Sequence, residues 1–326
     1  MPGKRKFEEQ LATMDALRQL PRNDCIEPLR KALGQRNNYL VAKGADLVRE
    51  LALTELIPEL LAAFDRFFED PAKSDPQCWA KNALSRALAA LEHQDAATFL
   101  RGMRHIQLEP VWGGQSDTAP TLRATCALAL VQCRNLPNDE VLAHLVDLVG
   151  DKEKVVRLEV NRAIEQVGTT SAALLLRLKA MLEDEAPEVL GAAYSGILHL
   201  EGTSSIAWIS RFLDREDDNA AEAAFAIAGT HWLPGFEVLR NRFSKTSNPW
   251  FRSVLLSAIA LTRQDAAVDF LLDLIRADST DAEAAIEALL RASPTADLTH
   301  RLEELVAGKS HLARAFATHK KNSSPR

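Results

Sequence analysis

The chain has 326 residues, a formal net charge of −6, and 50 Ala and 48 Leu among them. That Ala and Leu excess, against few strand-preferring residues, excludes an all-β protein and a wholly disordered one. The acidic balance disfavours a general nucleic-acid coat, which needs a large basic excess.

Met1-Pro2-Gly3-Lys4-Arg5-Lys6-Phe7 opens the chain with positive charge but no apolar h-region, so no signal peptide is expected. The apolar run Leu60–Phe64 is far shorter than the roughly 20 residues that span a bilayer, so no membrane association is expected. Cys25, Cys78, Cys126 and Cys133 form no CxxC pair. They read as small buried hydrophobes in a reducing, cytoplasmic setting, with Cys126 and Cys133 on one face of a helix.

Along the chain, helical patterns end at a last apolar residue before a short polar turn. These residues are Leu20, Leu53, Leu91, Cys133, Val167, Leu200 and Leu261, with the corresponding places at about Gly229 and about Arg291. The spacing averages about 34 residues, the period of helical repeats. Leu91-Glu92-His93-Gln94-Asp95-Ala96-Ala97 returns as Leu261-Thr262-Arg263-Gln264-Asp265-Ala266-Ala267, with Asp95 and Asp265 as the expected N-caps. Val155, Val156, Leu158, Val160, Ala163, Ile164 and Val167 suit one helix; Leu174, Leu175, Leu176, Leu178, Met181 and Leu182 suit the next. Pro120, Pro187 and Pro249 stand where first helices begin, in the turn whose N–H groups have no intrahelical partner. Each unit therefore reads as an antiparallel helix pair.

Three stretches share a further pattern: Asp151 with Val156-Arg157 and Ala163-Ile164, Asp117 with Leu122-Arg123 and Ala127-Leu128, and Asn248 with Phe251-Arg252 and Ala258-Ile259. This pattern resembles the HEAT-repeat family, including the HEAT-like repeats of phycobilin lyases, over residues 7–306. The resemblance implies an all-α, right-handed α-α superhelix of about nine helix pairs over residues 1–306. It also implies that the Asp and Arg residues tie neighbouring repeats together, so Asp151, Arg123, Arg157 and Arg252 are assigned to structure. A capping helix and a basic, flexible tail are expected over 307–326, with fraying from Lys320 onward.

The period breaks at about 105–118, where an irregular insertion holds Glu109, Trp112, the Gly113-Gly114 pair and Asp117. Long loops on rigid scaffolds concentrate binding residues, so Glu109, Trp112 and Asp117 form a candidate contact patch. The alternative is plain loop growth, with Trp112 packed back and Asp117 an N-cap.

By the same resemblance, second helices line a concave surface. In the middle they carry Arg177, Lys179, Arg211, Arg215, Arg240, Arg242 and Lys245, with Arg211 and Arg242 at equivalent places 31 residues apart. Acidic residues near Glu55, Glu59 and Asp65, and near Asp265, Asp269 and Asp273, flank them, so charge alternates along the groove. Such alternation suits a protein surface better than a phosphate track. GxSxG, HExxH and GxGxxG are absent, and Gly308-Lys309-Ser310 lacks the first glycine of a P-loop. The expected function is a non-catalytic scaffold that binds a protein partner through the concave face or the 105–118 loop, with no cofactor and no metal. Nucleic acid is the less favoured partner. The alternative is a HEAT-like enzyme, bilin lyase-like or DNA glycosylase-like, working in the groove.

Overall fold

The computed structural model describes residues 2–292 and 294–323. They are almost wholly helical, and packing divides them into two units, residues 1–167 and 168–326. Unit 1 contains α1 (Pro2–Ala16), α2 (Arg22–Leu33), α3 (Asn38–Glu50), α4 (Ile57–Arg66), the single turn α5 (Pro71–Ser74), α6 (Trp79–Ala90) and α7 (Ala96–Met103). A hairpin of β1 (Leu108–Val111) and β2 (Gly114–Asp117) follows, then α8 (Pro120–Leu130), α9 (Asn138–Val146) and α10 (Lys154–Val167). Unit 2 contains α11 (Thr170–Leu182), α12 (Pro187–Glu201), α13 (Ile206–Ser210), α14 (Asp218–Gly229), α15 (Leu233–Lys245), α16 (Pro249–Leu261), α17 (Asp265–Arg276), α18 (Ala282–Arg291), α19 (Ala296–Val306) and α20 (Ser310–Ser323). Among the described residues no helix is long and apolar enough to cross a membrane.

Within unit 1, α3 packs on α6, α6 on α8 and α8 on α10. Within unit 2, α12, α14, α16, α18 and α20 follow the same rule, each packing on the next but one. Small residues make this close stacking feasible: Ala220, Ala223, Ala224 and Ala228 of α14 are all buried. Gly102 serves the same purpose where α7 meets α8, since a Cβ there would overlap the Cys126 sulfur.

Local helix signals follow the sequence closely. Pro120, Pro187 and Pro249 open α8, α12 and α16. Asp95 caps α7 by accepting from the Ala97 N–H, and Asn248 caps α16. Asp265 does not cap α17. It lies one residue inside the helix, and Gln264 at the cap position turns its amide to the His231 carbonyl instead. Cys133 falls beyond the end of α8 and so shares no helix face with Cys126; all four cysteines are buried and free.

Arg123 and Arg252 each bridge to a carboxylate nearly 30 residues on. Arg123 meets both carboxylate oxygens of Asp151, 28 residues on, at 2.9 and 3.0 Å. Arg252 meets Asp281, 29 residues on, at 3.0 and 2.6 Å. Arg157 donates to the Asp151 and Lys152 carbonyls of its own turn. At the chain's end α20 continues through Lys320 and Lys321, where fraying was expected, because Leu312, Ala315 and Phe316 bury one face. Residues 324–326 of the expected flexible tail lie outside the described residues.

Candidate functional site

The break at 105–118 is ordered rather than irregular. Leu108 pairs with Asp117 and Val111 with Gly114, leaving Trp112-Gly113 as a two-residue turn. Gly113 has a φ of +87°, a conformation that side chains with a Cβ rarely adopt. Trp112 at the tip is 102% exposed; Val111 beside it, and Leu108 and Ile106 towards the base, are more than half exposed. Trp112 does not pack back on the helices.

The base of the hairpin is the opposite: polar, enclosed and fully engaged. One oxygen of Glu109 accepts from the Gln77 N–H at 2.6 Å, the Gln107 amide at 2.6 Å and the Thr118 hydroxyl at 2.7 Å. Asp117 accepts from the Gln107 and Ala119 N–H groups and pairs with Arg123 at 2.7 Å. Burial works to raise both carboxyls, but these donors outweigh it and hold Glu109 and Asp117 below the usual carboxylate range. Arg123 also donates to the His105 carbonyl, so one guanidinium joins the hairpin base to Asp151.

Behind that base lies a charged pair buried completely. Lys81 on α6 and Asp75 before it are both 0% exposed, with the ammonium 3.0 Å from the carboxylate and 3.1 Å from the Phe67 carbonyl. Asp75 satisfies its remaining lone pairs with Asn38, Ala80 N–H and Lys81 N–H. The loop holding Asp75 accepts the Gln107 amide on its backbone at 2.9 Å. Gln77 and Cys78 hold left-handed backbone conformations that aim the Gln77 N–H at Glu109. Cys78 donates toward the Gln107 oxygen at 3.2 Å, and burial pushes its thiol up to about 11. It is a packed thiol, not a nucleophile poised for attack. His105 is also drawn into this network through Gln107, and burial lowers its pKa.

The expected contact patch therefore separates by position. Trp112 faces solvent at the tip, while Glu109 and Asp117 act as struts at the base. Gln107 and Thr118, which bond the struts, and the Asp75–Lys81 pair behind them escaped the sequence reading. Lys81 left a trace, since it shares the apolar face of α6 with Leu84 and Leu88. Gln107 left none.

On the second helices of unit 2 most of the basic residues are committed to neighbours. Arg177 pairs with Glu201, Lys179 with Asp184, Arg215 with Glu183 and Asp217, and Arg240 with Glu237. Arg242 is held by Glu216 at 2.5 Å and by the Leu213 carbonyl at 3.2 Å. Arg211 is different: its guanidinium lies 4.2 Å from the Trp208 ring centre and 2.8 Å from the Met181 sulfur. Arg211 and Arg242 both reach back along the chain, to Met181 and to Leu213 and Glu216. An open hollow of about 620 Å³ between α17, α18 and α19 is lined by Arg263, Asp265, Asp297 and Arg301 among apolar residues. Among the described residues no group of three or more His, Cys, Asp or Glu side chains is placed to hold a metal ion. No model of a known protein family matches the chain, and no curated protein is similar enough to count as a relative.

Proposed function

We propose that this chain is a HEAT-like helical-repeat scaffold, an α-α superhelix of about nine helix pairs, whose work is to bind a protein partner. The packing of alternate helices and the Arg123–Asp151 and Arg252–Asp281 ties support the repeat reading. The observation that carries the function is Trp112: a fully exposed indole on a hairpin whose base is fixed by Glu109, Asp117 and Arg123.

Exposing a tryptophan forfeits the burial of one of the largest apolar side chains. A floppy loop would let it fold back; this hairpin holds it out. Tryptophan in a pre-organised position is what concentrates affinity in protein interfaces, because little ordering entropy remains to be lost on binding. The commitment of Arg177, Arg215, Arg240 and Arg242 to carboxylates leaves few free cations for a phosphate backbone, so a protein surface is the better match. The free, buried cysteines fit a reducing, cytoplasmic setting.

The test is affinity capture from native lysate with wild type and Trp112→Ala in parallel. Wild type should retain a stoichiometric protein that the variant loses, with unchanged circular dichroism, because Trp112 supports nothing inside the fold. An identical set of captured proteins, or none with wild type, refutes the reading.

A further inference from the structure

The helix α11 has an apolar face where a solvated one belongs. Its inner face buries Ala172, Ala173, Leu176 and Ala180. The opposite face presents Leu174, Leu178, Met181 and Leu182, which are 61, 54, 56 and 70% exposed. Their spacing of four, three and one residues makes one continuous stripe. Helices that are apolar all round are buried ones, and a contiguous exposed apolar stripe marks an interaction surface.

The edge of the stripe indicates what covers it. Trp208 of α13 lies between two guanidinium groups, Arg177 at 4.6 Å and Arg211 at 4.2 Å from the ring centre. Arg177 is neutralised by Glu201 at 2.8 Å, and Glu183 at the end of α11 is tied to Arg215. Arg211 forms no ion pair among the described residues; it is exposed, 4.2 and 5.1 Å from the Trp208 and Phe212 ring centres, and set beside Met181 at the end of the stripe. An apolar strip with one fixed, uncompensated guanidinium at its edge complements an apolar strip with a carboxylate at its edge. The length matters too. From Leu174 to Leu182 the helix rises about 12 Å, the span of two to three turns of a partner helix and too short for the roughly 20–30 residues per side of a stable dimer.

We propose that α11, with Arg211 and Trp208, docks an amphipathic helix of a partner protein, one whose apolar face is flanked by an acidic residue. The proposal rests on the reading that this chain binds protein, but it uses a surface separate from the hairpin. The partner's apolar residues at i, i+3 or i+4 and i+7 lie along Leu174, Leu178 and Met181. Its carboxylate takes the Arg211 fork, whose geometry the indole has already set.

The test uses a labelled amphipathic peptide of about 14 residues, with leucines at i, i+4, i+7 and i+11 and glutamates flanking them, and a twin carrying lysines instead. Anisotropy titrations with the full chain should show saturable binding of the glutamate peptide and at least about tenfold weaker binding of the lysine twin. Leu178→Glu should weaken the glutamate peptide by more than about tenfold, since a charge then enters the apolar contact. Arg211→Gln should bring the two peptides to within about threefold of each other, and added salt should do the same to wild type. Both changes fall on exposed side chains, so thermal unfolding should match wild type. Trp112→Ala should leave peptide binding unaltered, so loss of the hairpin partner and loss of this one are read separately. Absence of saturable binding up to about 1 mM, equal binding by Leu178→Glu, or no preference between the peptides overturns the proposal. A dimer in sedimentation that Leu178→Glu dissolves overturns it as well, because the stripe is then covered by a second copy.

Discussion

Glu109 separates two accounts of the hairpin, and the structure sets the size of the difference. If it is a strut, Glu109→Gln keeps the shape and an acceptor oxygen but removes the charge from three converging hydrogen bonds, from Gln77, Gln107 and Thr118. A charge-assisted bond is worth roughly 0.5–1 kcal/mol more than a neutral one, so the three sum to about 2 kcal/mol; partial exposure of the carboxylate reduces this to about 1 kcal/mol. Glu109→Ala removes the one oxygen that accepts all three bonds and leaves the Gln107 amide, on a residue only 2% exposed, short of one partner, costing about 2–3 kcal/mol. The measurement is amide hydrogen exchange at Gln107 and Thr118, whose N–H groups bond to Asp117 and to the Gln107 carbonyl. Protection should fall about fivefold in Glu109→Gln and by more than about thirtyfold in Glu109→Ala. If Glu109→Ala leaves exchange within twofold of wild type, the carboxylate is not holding the hairpin. It would then be free for a ligand, as the sequence first suggested.

The buried pair behind the hairpin gives a second outcome. Lys81→Met removes the ammonium from a fully enclosed Asp75, and although three N–H donors remain on that carboxylate, unit 1 should lose about 3 kcal/mol. Urea unfolding of Lys81→Met beside Arg240→Met, whose exposed pair with Glu237 is worth no more than about 1 kcal/mol, checks the contrast; equal midpoints refute it. Acidification gives the third. Folded Glu109 and Asp117 have lowered pKa values, so their stabilisation is complete above the unfolded values near about 4 and is lost as pH falls through the folded ones. Burial lowers the pKa of His105 too, so the unfolded chain takes that proton first and stability already erodes as pH drops below about 6.5. Exchange protection of the Gln107 amide should therefore be flat above neutrality and fall in two stages, the first abolished in His105→Gln; protection constant down to pH 3 would count against the whole network.

What could be read from the sequence was local chemistry. Pro120, Pro187 and Pro249 mark helix starts because a missing N–H matters only to the first turn, and Asp95 caps because its neighbours alone decide it. Asp265 fails for a reason of the same kind, a register shift of one residue that places Gln264 at the cap. The candidate site was legible only as a place. The break in period located the hairpin, but nothing in the residue types showed that Glu109 and Asp117 turn inward while Trp112 turns out. That division depends on Gln107 and on the Asp75 loop, roughly 30 residues earlier in the chain.

The apolar pattern of α11 marks the helix without marking what covers it, for a related reason. Leu174, Leu175, Leu176 and Leu178 satisfy a helical period however many faces are covered, so periodicity reports a helix without reporting its surroundings. A lysine inside α6 and leucines outside α11 break the same rule in opposite directions. The first is compensated within the chain, by Asp75 and the Phe67 carbonyl. Among the described residues the second is left exposed, and so is the indole of Trp112. The proposed partners are what would close these two surfaces, as Asp75 and the Phe67 carbonyl close the site around Lys81.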